Sequence, residues 1–449
     1  MSEASHQGQK SITSGKLGRS AQLVGTGAQV GMNYLKHYGK KSIRGEADLD
    51  DLHKENAEVV YKTFSELKGG PLKMAQMLSI DQNLLPGPYA QEFSQAQYSA
   101  PPLSYPLVVR TFKREFGRSP SELFDEFATE ASSGASIGQV HLARKGDHDY
   151  AVKVQYPGVA TSLKSDLAVV KPIALQIMGV KESDVSQYFQ EVEERLFEET
   201  DYELELERSQ DLSQSCQHIH NLRFPRYYPE LSSKRVLTMD WIDGTTLDKF
   251  ADSDASQEDR DRVGQALWDF YDYQIHELRL FHADPHPGNF LVQGQELWAI
   301  DFGCTKQLGD DFYYKNFRFL DPSLTQNQEE LEKALNALNV LLPNDTDEER
   351  RSLMELIIPT LEVLAKPFRY ERFDFGEPGF MDAIYEQGEA NRSHPTLKKM
   401  SGQRGSRHSV YVNRAYFGLY GLLARLGSRI NIVTPGWLTE SMSPAPVSS

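Results

Sequence analysis

The stretch Phe281-His-Ala-Asp-Pro-His-Pro-Gly-Asn289, followed twelve residues later by Asp301-Phe-Gly303, is the most informative part of this chain. It places Asp284 five positions before Asn289, and it places Asp301 directly after a run that predicts a short strand. ATP-dependent phosphoryl transfer needs one carboxylate for the acceptor proton, and an amide and a second carboxylate to bind magnesium. The spacing matches the catalytic loop of kinases, and the triplet matches the metal-binding loop that follows it. The triplet alone is weak evidence, but the two motifs at this distance are strong evidence.

Bulk composition indicates a globular protein and argues against one class of partner. The chain has 449 residues, of which 39% are hydrophobic and 25% are charged. This length suffices for a large core and predicts two or three structural units. The net charge of -16 argues against nucleic-acid binding. Residues 1–45 nevertheless hold five Lys and two Arg against a single Glu, a net charge of +6, which leaves -22 for the remainder.

Cysteine content and hydropathy restrict the cellular setting. Only Cys216 and Cys304 occur, so the sequence predicts a reducing compartment and no disulfide framework. We find no signal-peptide pattern, and no uninterrupted apolar run of the roughly 18–20 residues that a membrane-spanning helix needs. The nearest candidate, Leu17 to Tyr34, is interrupted by polar residues and four glycines. These features predict a cytoplasmic protein, and the basic N-terminus would allow a peripheral membrane contact.

The N-terminal arm has two interpretations that stay open at this point. Residues 1–16 predict disorder, and residues 17–40 predict a weak helix interrupted by glycine. The arm is either a flexible segment or a contact with anionic lipid through its basic residues. The predicted organisation is a basic, partly disordered arm (1–45), a helical extension (46–120), a lobe with strands (121–238), a mostly helical lobe (239–440) and a disordered tail (441–449).

The order of predicted elements indicates an α+β class with a bilobal, protein-kinase-like fold. Helices precede strands, and helices dominate again after Gln257. Gly69-Gly70 predicts a break between two early helices, the second beginning at Pro71. The other predicted elements are a helix over Ala47–Leu67, strands over Gly134–Leu142 and Asp149–Gln155, one long charged helix over Ser186–Leu212, and a strand over Arg235–Ile242.

Lys153 is the first candidate for a nucleotide contact. A single lysine on an alternating strand is usually solvated, and that interpretation would hold if Lys153 stood alone. Here it follows a glycine-containing hairpin at the distance at which kinases place the lysine that binds the α- and β-phosphates. Such a lysine requires a carboxylate partner on a helix, and Glu199 to Glu207 contains several.

Several other residues are weaker candidates for contacts with the nucleotide. The hairpin Ser132-Ser-Gly-Ala-Ser-Ile-Gly-Gln-Val140 lacks the usual G-x-G-x-x-G pattern, but its small residues would let backbone N–H groups approach phosphates. Backbone groups at the strand end that contains Met239 and Trp241 would meet an adenine edge. Lys73 and Gln76 share one face of a predicted helix, where a surface lysine is the simpler interpretation. The hairpin candidates are Ser133, Gly134, Ala135, Ser136, Gly138 and Gln139.

Four motifs in order resemble the UbiB/aarF family of atypical kinases over about residues 45–310. Leu72-Lys-Met-Ala-Gln-Met-Leu-Ser79 resembles its K-x-G-Q motif, and Ala135-Ser-Ile-Gly-Gln-Val-His141 resembles its alanine-rich nucleotide loop. Glu199-Thr-Asp-Tyr202 resembles its E-x-D motif, and Asp284 to Asn289 with Asp301 resemble its catalytic and metal loops.

The resemblance implies a role for each motif. It implies that Lys153 contacts phosphates and pairs with Glu205, that Asn289 and Asp301 ligate Mg²⁺, and that Asp284 stands where a catalytic base belongs. It also implies that Lys73 and Gln76 cover the active site, with Lys73 held by Glu199 and Asp201. By resemblance, the protein binds ATP or ADP and is an ATPase or small-molecule kinase. Such proteins support isoprenoid-quinone biosynthesis or lipid homeostasis, so the substrate would be a quinone precursor or another lipid.

Two departures from the family pattern and two other functions remain. Ala75 replaces the motif glycine, and Gly134 replaces an alanine of the nucleotide loop, which puts the preference between ATP and ADP in question. No Ala-Pro-Glu triplet follows Asp301, so a peptide-docking platform is not indicated. The alternatives are a protein Ser/Thr kinase, and a non-catalytic, lipid-binding scaffold that responds to nucleotide.

Overall fold

The computed structural model describes residues 16–44, 49–67, 69–80, 87–94, 103–134, 137–394 and 404–438. The predictions for the first fifteen residues and for the C-terminal tail lie outside this part. The α-helices are α1 (Lys16–Arg44), α2 (Leu49–Leu67), α3 (Gly70–Ile80), α4 (Gly87–Ser94), α5 (Tyr105–Phe116), α6 (Pro120–Leu123), α7 (Val159–Met178), α8 (Glu182–Glu199), α9 (Tyr202–Ser215), α10 (Leu247–Ala251), α11 (Gln257–Tyr273), α12 (Asp310–Phe317), α13 (Gln328–Ala337), α14 (Asp347–Leu364), α15 (Phe380–Ser393) and α16 (Arg407–Leu426).

The strands are short apart from one central hairpin. They are β1 (Glu126–Phe127), β2 (Ser133–Gly134), β3 (Gly138–Lys145), β4 (His148–Gln155), β5 (Leu222–Arg223), β6 (Val236–Asp240), β7 (Thr245–Thr246), β8 (Leu280–His282), β9 (Phe290–Gln293), β10 (Glu296–Ala299), β11 (Thr305–Gln307), β12 (Arg372–Asp374) and β13 (Arg429–Asn431). Helices precede the main sheet and follow it, as predicted, and the class is α+β.

The described residues group into two compact units. The first unit contains the chain up to Gln210 together with Arg226–Trp241, and the second contains Asp211–Pro225 and the chain from Ile242 onward. The first unit therefore holds the N-terminal helices, the central hairpin and Lys153. The second holds the two motifs around Asp284 and Asp301. No helix among the described residues is long and apolar enough to cross a bilayer.

In the first unit, the N-terminal helices pack on α7 and α8 around an apolar core. The predicted break at Gly69-Gly70 is present: Gly69 has φ +63°, and a Cβ atom on Gly70 would lie 2.7 Å from Cδ1 of Leu163. Gly69 is therefore required for its backbone conformation, whereas a side chain at Gly70 would displace the Leu163 side chain. The core includes Leu23, Val30, Val60, Phe64, Met74, Leu163, Leu167, Val170, Val192 and Leu196.

Helix α1 is fixed to this core by a buried ion pair. The Nε and Nη2 atoms of Arg19 donate to both carboxylate oxygens of Asp166 on α7, and its Nη1 donates to the Leu67 carbonyl at 2.7 Å. Both side chains are almost fully buried. A charge in such a place must be paired, so the pair ties α1 to α7 and to the end of α2. The helical part of the arm is thus packed against the unit.

The main sheet of the first unit has the order β1-β3-β4-β6, with β2 also paired to β3. Strands β3 and β4 form an antiparallel hairpin that turns at Gly146-Asp147, and Gly146 has φ +60°. The pairing places Lys153 between Val140 on β3 and Leu237 on β6. Lys153 therefore lies on a central strand, held by hydrogen-bonded neighbours on both sides.

The prediction of one long helix over Ser186–Leu212 is wrong. The structure has two helices, α8 and α9, separated at Thr200 and Asp201. The Oδ1 atom of Asp201 accepts the backbone N–H groups of Glu203 and Leu204, at 3.2 and 3.4 Å. This hydrogen bonding is that of a helix N-cap. In the sequence Asp201 looks like one more charged residue on a solvated helix face, but in the structure it begins a new helix.

The second unit is built on a large aromatic and aliphatic core between α11, α16 and two small sheets. Trp268, Phe270 and Tyr271 of α11 are buried in it together with Leu419 and Leu423 of α16. After α11 the chain forms one turn of π-helix (Gln274–Leu278), and Arg279 then takes φ +56°. This turn leads into β8 and the motif that begins at Phe281.

Candidate functional site

In the first unit, Lys153 and Glu205 form a buried ion pair. The Nζ atom of Lys153 lies 2.7 Å from Oε1 of Glu205, and both side chains are less than a tenth exposed. The ammonium also lies 5.2 Å from the ring centroid of Tyr202, which is fully buried. An ion pair and a ring contact together restrict a long side chain to one direction. This is the pair that the family resemblance implied.

The N-cap at Asp201 explains how Glu205 reaches Lys153. Because α9 begins immediately after Asp201, Glu205 lies one turn into the helix. Had α8 continued without a break, the direction of Glu205 would differ. The second acidic residue of the E-x-D motif therefore has a structural role, and its implied contact with Lys73 stays a prediction.

Lys73 pairs with the first acidic residue of the same motif. Its Nζ atom lies 3.1 Å from Oε1 of Glu199, and both groups are mostly buried. Lys73 lies in the first turn of α3, where the helix dipole disfavours a cation, so the glutamate compensates for that position. The surface-lysine interpretation of Lys73 is wrong because the side chain is only 11% exposed. Ala75, two residues on, is buried in the helical core, so the extra methyl group is accommodated. The side chain of Gln76 lies outside the described residues.

The hairpin loop is only partly described. Ser133 and Gly134 form the exposed strand β2, which pairs with Val140 and Gln139 of β3. Ala135 and Ser136 lie outside the described residues. Gly138 is required for packing, since a Cβ atom there would come within 2.6 Å of the Val154 carbonyl oxygen and 2.7 Å of the Tyr202 hydroxyl. Its role in phosphate binding stays a prediction.

Gln139 does not have the environment that we expected of a nucleotide contact. Its side chain is fully buried, its Oε1 accepts the Leu103 N–H at 2.6 Å, and its Nε2 lies 2.8 Å from Nε2 of His141. Burial lowers the pKa of His141, which favours the neutral ring in this contact. Both ends of the amide are therefore used within the unit. Gln139 therefore links the chain at Leu103 to the sheet. No local sequence pattern predicts this partner.

The strand end expected to meet an adenine edge is also engaged. Met239 pairs with Ala151 on one side and forms a bridge with Tyr227 on the other. The Trp241 N–H donates to the Asp149 carbonyl at 3.0 Å. An adenine contact at Trp241 would therefore have to use a group other than this N–H. The prediction itself stays untested for both residues.

In the second unit, the catalytic-loop motif folds onto itself. The Nδ2 atom of Asn289 donates to the Asp284 carbonyl at 2.9 Å, and the His286 N–H donates to the same carbonyl at 2.7 Å. The Gly288 N–H donates to Nδ1 of His286 at 3.1 Å. The five-residue spacing thus closes a compact loop, and the Asn289 amide oxygen is the end that is left for a hard cation.

Asp301 is placed next to this loop by a backbone contact. The Ile300 N–H donates to the Asn289 carbonyl at 3.0 Å, so the end of β10 lies against the catalytic loop. Oδ1 of Asp301 accepts the Gly303 N–H at 2.9 Å, which fixes the carboxylate. Among the described residues, no group of three or more His, Cys, Asp or Glu side chains could hold a metal ion. One amide and one carboxylate suit Mg²⁺, which normally completes its shell with water and phosphate oxygens.

A family model decides the assignment. The model described as the ABC1 atypical kinase-like domain matches residues 95–335, more than half of the chain. The chain belongs to this family. The predicted UbiB/aarF membership and the kinase-like α+β fold with N-terminal helices are thereby confirmed.

This ABC1 chain is similar to a protein named as an ABC1 family member and to one named as an atypical kinase. It is 32% identical over 286 residues to an ABC1 family protein of Schizosaccharomyces pombe, covering 62% of this chain and 52% of the relative. It is 26% identical over 389 residues to the mitochondrial atypical kinase COQ8 of the same organism, covering 84% of this chain and 62% of the relative. The chain thus spans between half and two thirds of the length of these relatives.

A solved structure supports the fold of the ABC1 chain. Rv3197 of Mycobacterium tuberculosis, determined in complex with erythromycin, matches with a TM-score of 0.57. The match covers 88% of this chain and 97% of that one, at 23% sequence identity. The likeness shows the fold. The family places the chain among kinase-like proteins.

One feature of the ABC1 chain lies beyond any motif that we found in the sequence. Arg414, on α16, donates through Nη2 to Oδ1 of Asp284 at 2.6 Å, and both side chains are largely buried. One turn further on, a Cβ atom at Gly418 would lie 2.2 Å from Cγ of Pro285. Helix α16 therefore packs directly on the Asp284 loop. No local pattern predicts this, because the two segments are 130 residues apart.

A protonated tyrosine lies near the same carboxylate. Burial, and then the Asp284 charge, raise the pKa of Tyr271 well above its usual value. Its hydroxyl lies 3.3 Å from Nδ1 of the buried His282. Tyr271 therefore remains neutral at physiological pH and adds no negative charge beside Asp284.

Proposed function

We propose that this chain is a magnesium-dependent atypical kinase that binds ATP or ADP, with ATP hydrolysis as its minimal activity. The observation that carries the proposal is the buried Lys153–Glu205 pair at 2.7 Å. Burying a lysine and a glutamate together costs desolvation free energy. A need to hold the ammonium for phosphate binding would explain why the chain contains this pair. The kinase names of relatives and the family membership support the same class.

Other described residues suit the remaining requirements of ATP-dependent phosphoryl transfer. Asn289 and Asp301 would hold Mg²⁺, which, when bound, neutralises charge on phosphate oxygens. Lys153 would hold the α- and β-phosphates, and Glu205 would keep its ammonium in place. Asp284 would accept the proton of the attacking group, while Arg414 would keep the Asp284 carboxylate in one orientation. Within each unit the charges are already held in place, by Glu205 beside Lys153 and by Arg414 beside Asp284. Preorganised charge lowers a barrier because little has to reorganise during the reaction.

The test is ATP turnover in two variants. We expect Asp301→Asn to lower turnover by about 100-fold or more, since loss of one electrostatic contact typically costs several kcal/mol in the transition state. We expect Lys73→Ala to change turnover while magnesium–nucleotide binding, measured by calorimetry, persists, because Lys73 pairs with Glu199, whereas the proposed phosphate lysine, Lys153, pairs with Glu205. Unchanged turnover in Asp301→Asn would reject the proposal. Loss of nucleotide binding in Lys73→Ala would reject the separate role of that residue.

One observation favours a second function. Arg414 occupies an oxygen of the Asp284 carboxylate, and a base engaged by a cation is less able to accept a proton. A non-catalytic scaffold that binds lipid in response to nucleotide would have no need of a free base. Magnesium-dependent binding of ATP with turnover no higher than that of Asp301→Asn would favour the scaffold. Transfer of labelled phosphate to added proteins would instead favour a protein Ser/Thr kinase.

The proposed substrate is a lipid-like molecule such as a quinone precursor, reached through peripheral membrane contact. Helix α1 contains six Lys or Arg residues and no acidic residue. Its inner face carries Arg19, whereas Val24 and Met32 on the outer face are more than half exposed. A basic helix with an apolar outer face suits an anionic bilayer. Flotation with anionic vesicles should recover wild type and should recover far less Val24→Glu/Met32→Glu.

A further inference from the structure

The second unit contains an apolar cavity that the proposed site does not use. Its volume is about 100 Å³, and its walls come from α12, the turn after α12, the end of α14 and α16. Six aromatic rings line it: Phe317, Phe319, Phe368, Tyr416, Phe417 and Tyr420. None of the described residues that line it carries a charge. An apolar cavity of roughly 150 Å³ in another protein stays dry and binds benzene, so this volume accommodates part of a hydrocarbon molecule.

The two tyrosine hydroxyls of the cavity wall are already bonded elsewhere. The Tyr416 hydroxyl lies 3.0 Å from Nε2 of His276, and the Tyr420 hydroxyl donates to the Leu364 carbonyl at 2.8 Å. Both tyrosines therefore present their rings to the cavity. A water molecule needs two to four polar partners to be stable in such a place. The two tyrosine hydroxyls do not offer such partners, and the aromatic and aliphatic part of the wall favours hydrocarbon over water.

The opening of the cavity has a different character. Asn413 and Phe417 line the cavity and are exposed, so they mark where it meets solvent. The Asn413 amide offers one donor group and one acceptor atom at this point. The opening thus suits an uncharged polar group, and the interior suits the chain attached to it. A molecule with a hydrocarbon chain and a hydroxyl or carbonyl end satisfies both.

We propose that this cavity binds the hydrocarbon chain of a single-chain amphiphile with an uncharged polar end. The chain enters between α12 and α16, and its polar end remains beside Asn413. This binding needs no nucleotide, so a test of amphiphile binding does not depend on the proposed ATP-dependent function. The neighbouring helix residue, Arg414, bonds to Asp284, which places the ligand site on the helix that supports the predicted base.

The test is equilibrium dialysis of the full chain against radiolabelled decan-1-ol below its solubility limit. We expect saturable binding of one molecule per chain. Decane-1,10-diol should bind at least about tenfold more weakly, because one end would bury a hydroxyl without a partner. Absence of saturable binding by decan-1-ol, or equal binding of the diol, would overturn the proposal. Self-association through this face in place of binding would overturn it as well.

Matched variants locate the binding. Ala365 is buried and lines the cavity, whereas Ala390 on α15 is exposed. Ala365→Met should weaken decan-1-ol binding by about tenfold or more, because each buried methylene is worth roughly fourfold in affinity. Ala390→Met should bind as wild type does. Should Ala365→Met fail to fold, Phe417→Ser removes a ring at the exposed opening and should weaken binding several-fold. Wild-type affinity in the folded cavity variant would refute the site.

Discussion

Gly418 shows how a single missing side chain can position the loop that contains Asp284. A methyl group there would lie 2.2 Å from Cγ of Pro285, and a proline ring cannot rotate away. Gly421, on the same helix, has nothing within 4 Å of the point where a Cβ atom would lie. The first glycine is therefore required by close packing, and the second is not. Only the first should matter to the position of Asp284.

We expect Gly418→Ala to lower both stability and ATP turnover. Forced overpacking typically costs about 1–3 kcal/mol, and here the displaced group is next to Asp284. The control is Gly421→Ala, which should raise stability by up to about 1 kcal/mol because alanine favours a helix. Urea unfolding and ATP turnover of both variants measure these effects. Equal behaviour of the two alanine variants would contradict the packing argument.

Most of the candidate residues can be identified from local patterns, and the family resemblance also implies the partners of Lys153 and Lys73. Other partners cannot be identified in this way. Lys153, Asp284, Asn289 and Asp301 each belong to a short motif whose spacing carries chemical meaning. Arg414 belongs to none, since its contact depends on how α16 packs. The partner of Gln139 escapes sequence analysis for the same reason, because Leu103 is 36 residues away. Long-range packing, unlike spacing, leaves no mark in a single sequence.

Among the secondary-structure elements, the break between α8 and α9 is the principal difference from the prediction. Periodicity predicts one helix because charged residues continue through the break. The deciding residue is Asp201, whose carboxylate competes for backbone N–H groups and starts α9. The helix after Gly69-Gly70 and the central hairpin agree with the sequence pattern, because glycine and β-branched residues mark them locally.

We expect Asp201→Ala to weaken magnesium–nucleotide binding through α9. Loss of an N-cap costs about 1 kcal/mol, and fraying of the first turn would displace Glu205 from Lys153. The control is Ser256→Ala, which removes the N-cap of α11 in the other unit. Both variants should lose similar stability in urea, but calorimetry should show weaker nucleotide binding only for Asp201→Ala. Equal nucleotide affinities would separate α9 from the nucleotide site.

The attachment of α1 gives a second prediction about elements. Arg19→Met would leave Asp166 charged and buried, which should cost about 3–5 kcal/mol of unfolding free energy. Adding Asp166→Leu should restore part of that loss, since no charge then remains buried. Lys171→Met, which breaks the partly exposed pair with Glu182, should cost less than about 1 kcal/mol. Denaturant unfolding measures all three. A small effect of Arg19→Met would mean that α1 is not held by this pair.

The molecule as a whole carries a net charge of -16. The effect of one carboxyl group, that of Asp272, on stability can be distinguished from the effect of this overall charge. Burial, then the charges of Asp269 and Glu277, raise the pKa of Asp272 to about 7. Its Oδ1 atom is buried and has no hydrogen-bond partner among the described residues. His276 is 3.9 Å away, but burial lowers its pKa to about 3, so it is neutral and does not pair with Asp272 at pH 7. Asp272 therefore has no neighbouring cation among these groups to favour ionisation.

This environment predicts how stability depends on pH. An unfolded aspartate titrates near pH 3.9, so between about pH 4 and pH 7 the folded chain keeps a proton that the unfolded chain has lost. The contribution of Asp272 to the free energy of unfolding therefore decreases as pH rises through that window. An amide at this position would not titrate, so Asp272→Asn should be the more stable protein above pH 7, by on the order of a few kcal/mol. The advantage should shrink steadily toward pH 4.

The control must remove the same charge where no burial opposes ionisation. Asp254 is exposed, and Asp254→Asn lowers the net negative charge by the same amount. If the gain in Asp272→Asn came only from reduced repulsion in an acidic molecule, both variants would gain equally, and added salt would abolish the gain. If burial of the carboxylate is the cause, only Asp272→Asn gains, and the gain survives salt. Urea unfolding at pH 5 and pH 8, at low and high salt, distinguishes the two causes.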